Sequence, residues 1–191
     1  MSDKRRLFWG SGSVLCWRPM IVLKEMGLDD CESTLISFDK KEHKGGEVIK
    51  LNPRGERVYK GQGNQLYPDD PNQLAKVLQR VHELDMDEKN NEVREEFEKK
   101  KTAATAEIQI WEGYLKEDGD YICGNDFTMA DVILFPYVAV WIRLDLNKEK
   151  YPNIYKYYNK VAPRKSVQDT WPPHWNESGP PADFVKEFSQ L

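Results

Sequence analysis

Between Arg6 and Leu51 the chain changes its hydrophobic period repeatedly, and this alternation constrains its folding more than any other feature. Arg6-Leu7-Phe8-Trp9 reads as a short aromatic strand, stopped by the turn residues Gly10-Ser11-Gly12-Ser13. A helical segment follows from about Cys16 to Met26. Pro19 is tolerable there only in a first turn, and Gly27 stands where a left-handed residue would close the helix. Ser33 to Phe38 reads as a second strand, Asp39 to Lys44 as a charged surface loop, and Glu47 to Leu51 as a short helix ending before Asn52-Pro53. Two strands separated by a helix predict a parallel pair with a right-handed crossover.

From Pro68-Asp69-Asp70-Pro71 onward the signals are helical only. Pro71 opens a helix whose apolar stripe runs through Leu74, Leu78, Val81 and Met86. Asp87 to Lys101 is too charged to be a buried face and reads as a solvated helix surface or a junction. Ala104, Ile108, Trp111 and Leu115 recur at helical spacing. Thr128, with Asp131 three residues on, caps a further helix to about Leu144, whose Val132, Phe135, Val138 and Ala139 make it apolar on most sides. Pro152 starts a helix carrying Tyr155, Tyr157 and Tyr158, and the Trp171-Pro172-Pro173-His174-Trp175 tail reads as extended. The expected organisation is an α/β domain over residues 1–67 and an all-helical domain over 68–191.

Composition removes several function classes. The 28 Lys and Arg against 32 Asp and Glu give a net charge of -4, which argues against nucleic-acid binding. No apolar run approaches the roughly 18 residues of a membrane span. The opening MSDKRRLFWGSGS has no apolar signal core, so a cytoplasmic protein is expected. Cys16, Cys31 and Cys123 are widely spaced with no C-x-x-C pair, and His43, His82 and His174 show no ligand spacing. The expectation is therefore reduced thiols and no metal.

Ser11-Gly12-Ser13-Val14-Leu15-Cys16-Trp17-Arg18 carries the chemistry. Backbone N–H groups at a helix start favour an anion such as a thiolate, and a serine hydroxyl there can donate a hydrogen bond to it. Such a loop is also an ordinary turn. Cys16 has two readings, a redox nucleophile near a helix start or a small buried residue. His43, in a charged loop, reads on its own as a solvated surface residue.

The strings LFWGSGSVLCWRPMIVLKEMGL and LISFDKKEHKGGEVIKLNPRGE resemble the start of a cytosolic glutathione transferase, most closely the rho class, with theta and zeta more distant. WEGYL, YICGNDFTMADVILFP and YPNIYKYYNKVAPRKSVQDTWPPHW are similar to the same class, so the resemblance runs nearly end to end. It implies a thioredoxin-like first domain, a helical second domain, and conjugation of reduced glutathione to small hydrophobic electrophiles in detoxification. Glutathione would be a co-substrate, with no cofactor. Ser13 falls where theta and zeta enzymes place the serine that activates the sulfur, with Ser11 the second candidate. His43, nine residues before Asn52-Pro53, matches a theta-class histidine at the glycyl end of glutathione. Thr128–Asp131 matches a structural capping box.

One stretch departs from that pattern. After Asn52-Pro53-Arg54-Gly55 the family continues through a Val-Pro strand, a further strand and an acidic or Gln residue followed by Ser that holds the γ-glutamyl group. Here Val58 stands at the expected proline, and no such pair lies between Pro53 and Pro68. Two strands and a helix need on the order of 20–25 residues, more than Gly55 to Pro68 supplies. The resemblance is thus to a transferase with a truncated first domain, weakened glutathione binding and a compromised homodimer contact. A non-catalytic relative that binds ligands or packs like a crystallin is the alternative. Thiol-disulfide or dehydroascorbate chemistry through Cys16 is a third reading.

Overall fold

The computed structural model describes residues 6–28, 30–38, 40–51, 77, 97–116, 119–180 and 185. The chain divides into two compact units. One comprises Met1–Gly63 with Lys165–Ser178, the other Asn64–Arg164 with Gly179–Leu191. The first unit thus includes a segment from late in the sequence. The boundary expected near residue 67 lies outside the described residues.

In the first unit, β1 (Arg6–Trp9) and β2 (Glu32–Leu35) pair in parallel with Arg6 opposite Glu32 and Trp9 opposite Leu35. Among the described residues the sheet has these two strands. Helix α1 (Val14–Glu25) connects them. It ends where Gly27 adopts φ +63°, with Leu28 N–H donating to Leu23 O (2.9 Å) and Gly27 N–H to Lys24 O (3.2 Å). These paired bonds close the last turn as a left-handed glycine allows. Because α1 starts at Val14, Pro19 lies in its second turn rather than its first. Its missing N–H costs the helix one interior bond there. A short 3₁₀ turn (Glu42–Lys44) interrupts the expected charged loop, and α2 spans Gly46–Leu51.

The late segment of this unit contains α6 (Lys165–Gln168) and a 3₁₀ turn over Pro173–Trp175, so the tail is not extended throughout. α6 packs against α1, and Ser166 donates a hydrogen bond to Glu25. Trp17 of α1, Trp171 and Trp175 form three mutual edge-to-face contacts with centroids 5.2, 5.4 and 5.7 Å apart. Such pairs contribute about 0.5–1.5 kcal/mol each beyond burial. Trp17 Nε1–H donates to Thr170 Oγ1 (2.9 Å), whose own hydroxyl donates to Ser166 O (2.7 Å), so the buried donor is satisfied.

The second unit contains α3 (Phe97–Tyr114), α4 (Met129–Arg143) and α5 (Pro152–Val161). No described helix is long and apolar enough to cross a membrane. Ile108 and Trp111 of α3 are buried, as their spacing predicts. In α4 Val132, Phe135, Val138 and Ala139 are buried together with Ala130, Ile133 and Leu134. An apolar surface this broad needs cover on most sides. At its start Thr128 and Asp131 form a capping box. The Asp131 carboxylate accepts from Thr128 N–H (2.8 Å), Thr128 Oγ–H (3.2 Å) and Ile122 N–H (3.1 Å). Helix α5 begins at Pro152, but Tyr151 ahead of it supplies no capping side chain. Glu112 of α3 does so instead, accepting from Asn153 N–H and Ile154 N–H, both at 2.9 Å. A carboxylate at a helix N-terminus also meets the favourable end of the helix dipole.

Leu74, Leu78, Val81 and Met86 lie outside the described residues, as do Gly55 to Pro68 and the side chains of Asp87 to Lys101. Val77, between the first two of these positions, is helical and fully buried.

Candidate functional site at the β1–α1 loop

The site is set by where α1 starts. Ser13 is its N-cap, with φ -74° and ψ 112°, and Ser13 Oγ accepts from Cys16 N–H at 3.3 Å. Ser13 O also accepts the first helical bonds, from Cys16 N–H and Trp17 N–H, both at 3.0 Å. The first-turn N–H groups of any helix lack intrahelical acceptors and present a partial positive charge. An accepting hydroxyl oxygen still carries its own proton, so Ser13 can donate one hydrogen bond outward. A donor beside a helix N-terminus is suited to stabilising a thiolate.

Ser11 faces a different partner. Its Oγ lies 2.7 Å from His174 Nδ1, a hydrogen bond between part-buried groups 163 residues apart in sequence. Gly12, with φ +77°, makes this approach possible. A Cβ on Gly12 would sit 2.5 Å from His174 Cε1, and the positive φ disfavours any other residue. Gly10 plays a similar part on the other side, because a Cβ there would meet the Phe38 ring at 2.0 Å.

His43 stands in the 3₁₀ turn with its ring 5.3 Å from that of Phe38. It is half-buried rather than a solvated surface residue, and its buried Nδ1 has no hydrogen-bond partner among the described residues. Phe38 is thus the packing link between the loop at Gly10 and His43. Cys16, the third residue of α1, is half-buried, and no disulfide joins the three cysteines. The structure therefore places Ser11 and Ser13 on one loop, with Cys16 in the first turn of the helix that follows, and connects His43 to the loop through an aromatic ring. It adds His174, which spacing along the sequence could not have paired with Ser11. Only the Trp-Pro-Pro-His-Trp string, noted for its resemblance, marked that region.

A model of the glutathione S-transferase C-terminal domain matches residues 69–165. The sequence is 36% identical to glutathione S-transferase A of Pleuronectes platessa, over 98% of this chain and 100% of that protein. The fold matches a glutathione S-transferase from the Antarctic clam Laternula elliptica with a TM-score of 0.79 and 35% identity, covering 97% of this chain and 100% of that one. A Sulfitobacter transferase homologue solved with bound glutathione shares the fold at a TM-score of 0.67 and 20% identity, over 86% of this chain and 95% of that one. These likenesses and the element order define the class, in which a thioredoxin-like N-terminal domain precedes a helical C-terminal domain. The chain belongs to the glutathione S-transferase family.

Proposed function

We propose that this protein conjugates reduced glutathione to small hydrophobic electrophiles, with Ser13 as the donor to the glutathione thiolate. The observation that carries the reading is the Ser13 cap. Its oxygen is engaged by Cys16 N–H while its proton remains available at the positive end of α1. The thiolate sulfur forms the new C–S bond, the displaced group departs with its electron pair, and the thiol proton passes to solvent. No cofactor enters this step. Ser11, through its lone pairs, and His43, at the glycyl end, are the other glutathione contacts in this reading. Detoxification in the cytoplasm is the role we infer from the rho-class resemblance.

The test is conjugation of chlorodinitrobenzene by Ser13→Ala and Cys16→Ala. Removing one preorganised donor to a developing or held anion costs about a hundredfold in rate, so Ser13→Ala should lose that much and Cys16→Ala should retain most activity. The reverse pattern would replace this reading with thiol chemistry at Cys16.

We further infer that glutathione binds weakly here. Support comes from the short Gly55 to Pro68 interval and from the length of the Pleuronectes platessa match, which spans 224 positions against the 191 residues of this chain. Three lost contacts at about 1–2 kcal/mol apiece would lower affinity roughly a hundredfold or more. The family's third helix also contributes to its homodimer contact, so we infer a weakened dimer. Titration calorimetry with reduced glutathione, beside a version with two strands and a helix restored, decides the point: equal affinities would refute it. A wild-type protein that binds apolar ligands but never conjugates would favour the non-catalytic alternative.

A further inference from the structure

We propose that His174 is a positioning residue for the sulfur site. It holds the Ser11 hydroxyl through Nδ1, which leaves Ser13 as the single serine proton facing the ligand. The proposal rests on the conjugation reading above and names a residue that the sequence motifs did not point to.

Three observations converge on it. Ser11 Oγ and His174 Nδ1 are 2.7 Å apart, a normal hydrogen-bond distance. The imidazole lies directly on the loop backbone, since a Cβ at Gly12 would collide with Cε1 at 2.5 Å. His174 is itself held firmly by its own segment. Its carbonyl accepts from Glu177 N–H (3.2 Å), Ser178 N–H (3.1 Å) and Ser178 Oγ–H (3.2 Å). The next residue, Trp175, belongs to the aromatic triad with Trp17 and Trp171. Trp17 stands one residue after Cys16 in the first turns of α1, so the same segment fixes both the loop and the helix behind it.

The chemistry follows from the two serine environments. A hydroxyl has one proton. With the imidazole proton on Nε2, Nδ1 accepts from Ser11 Oγ–H, and that proton is no longer available to a bound sulfur. Ser13 spends only a lone pair on Cys16 N–H and keeps its proton. Loss of the imidazole would free Ser11 to rotate and release a loop that carries the glycine at φ +77°. Geometry at the donor would then degrade, and rates depend steeply on such placement.

The experiment compares His174→Phe, His174→Asn and Ser11→Ala with wild-type protein, each checked for cooperative unfolding. Phenylalanine keeps a ring edge-on to Trp175 and removes Nδ1, whereas asparagine puts a polar atom near the Nδ1 position. We expect His174→Phe to lower kcat about tenfold with a smaller change in KM for glutathione, and His174→Asn to recover to within about threefold of wild type. The double variant Ser11→Ala/His174→Phe should be no worse than the poorer single variant. In wild-type protein the imidazole ¹⁵N spectrum should show an accepting, unprotonated Nδ1 whose shift moves in Ser11→Ala. An active wild type with unchanged His174→Phe, or with additive losses in the double variant, overturns the positioning role. A wild type that neither binds nor conjugates glutathione overturns the conjugation reading, and this role falls with it.

Discussion

Helix α4 is begun by groups three residues apart, whereas the loop ahead of α1 is completed by a residue 163 positions away. At α4 the donors and the acceptor lie in one short stretch, Ile122 to Asp131, so the start forms wherever that stretch goes. At α1 the cap itself is local, through Ser13 and Cys16 N–H. The neighbouring Ser11 depends on a segment that the chain reaches only after building its helical half. Each arrangement limits where a function can reside. A locally closed start is robust and suits a core helix, while a loop finished from afar can be adjusted by its distant partner.

The local start of α4 depends most on Asp131. It is fully buried, and its carboxylate is the acceptor for three donors. Asp131→Ala would leave Thr128 N–H and Ile122 N–H buried without partners, at about 1–3 kcal/mol each. We expect a loss of about 3–5 kcal/mol in urea unfolding. A loss under about 1 kcal/mol would show that α4 does not need its local start.

The distant arrangement is tested with a smaller change. Trp17→Phe keeps an aromatic ring but removes the Nε1–H that donates to Thr170 and reduces the edge-to-face contacts with Trp171 and Trp175. One hydrogen bond and part of the ring contacts amount to about 1.5–3 kcal/mol. The unfolding midpoint should fall accordingly. The Ser11–His174 coupling should weaken with it, because the segment carrying His174 is anchored on Trp17. Unchanged coupling would mean that the 3₁₀ turn holds His174 without the aromatic cluster.

What the sequence disclosed follows the same division. Gly27, Pro152 and the Thr128–Asp131 pair act on residues within a turn of themselves, and each marks an element end within two residues of where the structure has it. The β-α-β order was legible because period and turn residues are local signals. Glu112 capping α5, the Trp17-Trp171-Trp175 triad and His174 were not legible, since each joins residues more than 40 positions apart. Pro19 misled because its tolerance was judged against a helix starting at Cys16. Ser13 as N-cap moves the start to Val14, and Pro19 into the second turn. Of the candidate site, Ser11 and Ser13 could be placed on one loop, and Cys16 at the start of the helix after it, from sequence. The partner of Ser11 and the half-buried setting of His43 could not.

The finest discrimination concerns the charge on Asp131. Burial pushes its carboxyl up from 3.8 to about 6, opposed by the hydrogen bonds from Thr128 and Ile122, which favour the ionised form. A folded-state value above the unfolded one means that the folded protein takes up the proton first. The stabilisation from that uptake is complete below pH 3.8 and is lost as pH rises through about 6. Between pH 7 and pH 5 wild-type protein should therefore gain about 1 kcal/mol relative to Asp131→Asn, which cannot titrate there. Taking the difference between the two proteins cancels the other titrating groups. Urea unfolding of both at the two pH values measures it. A flat difference would mean that the three donors outweigh burial and hold the carboxylate ionised throughout. The start of α4 would then be closed by charge as well as by proximity, and its contrast with the distant Ser11–His174 contact would be larger still.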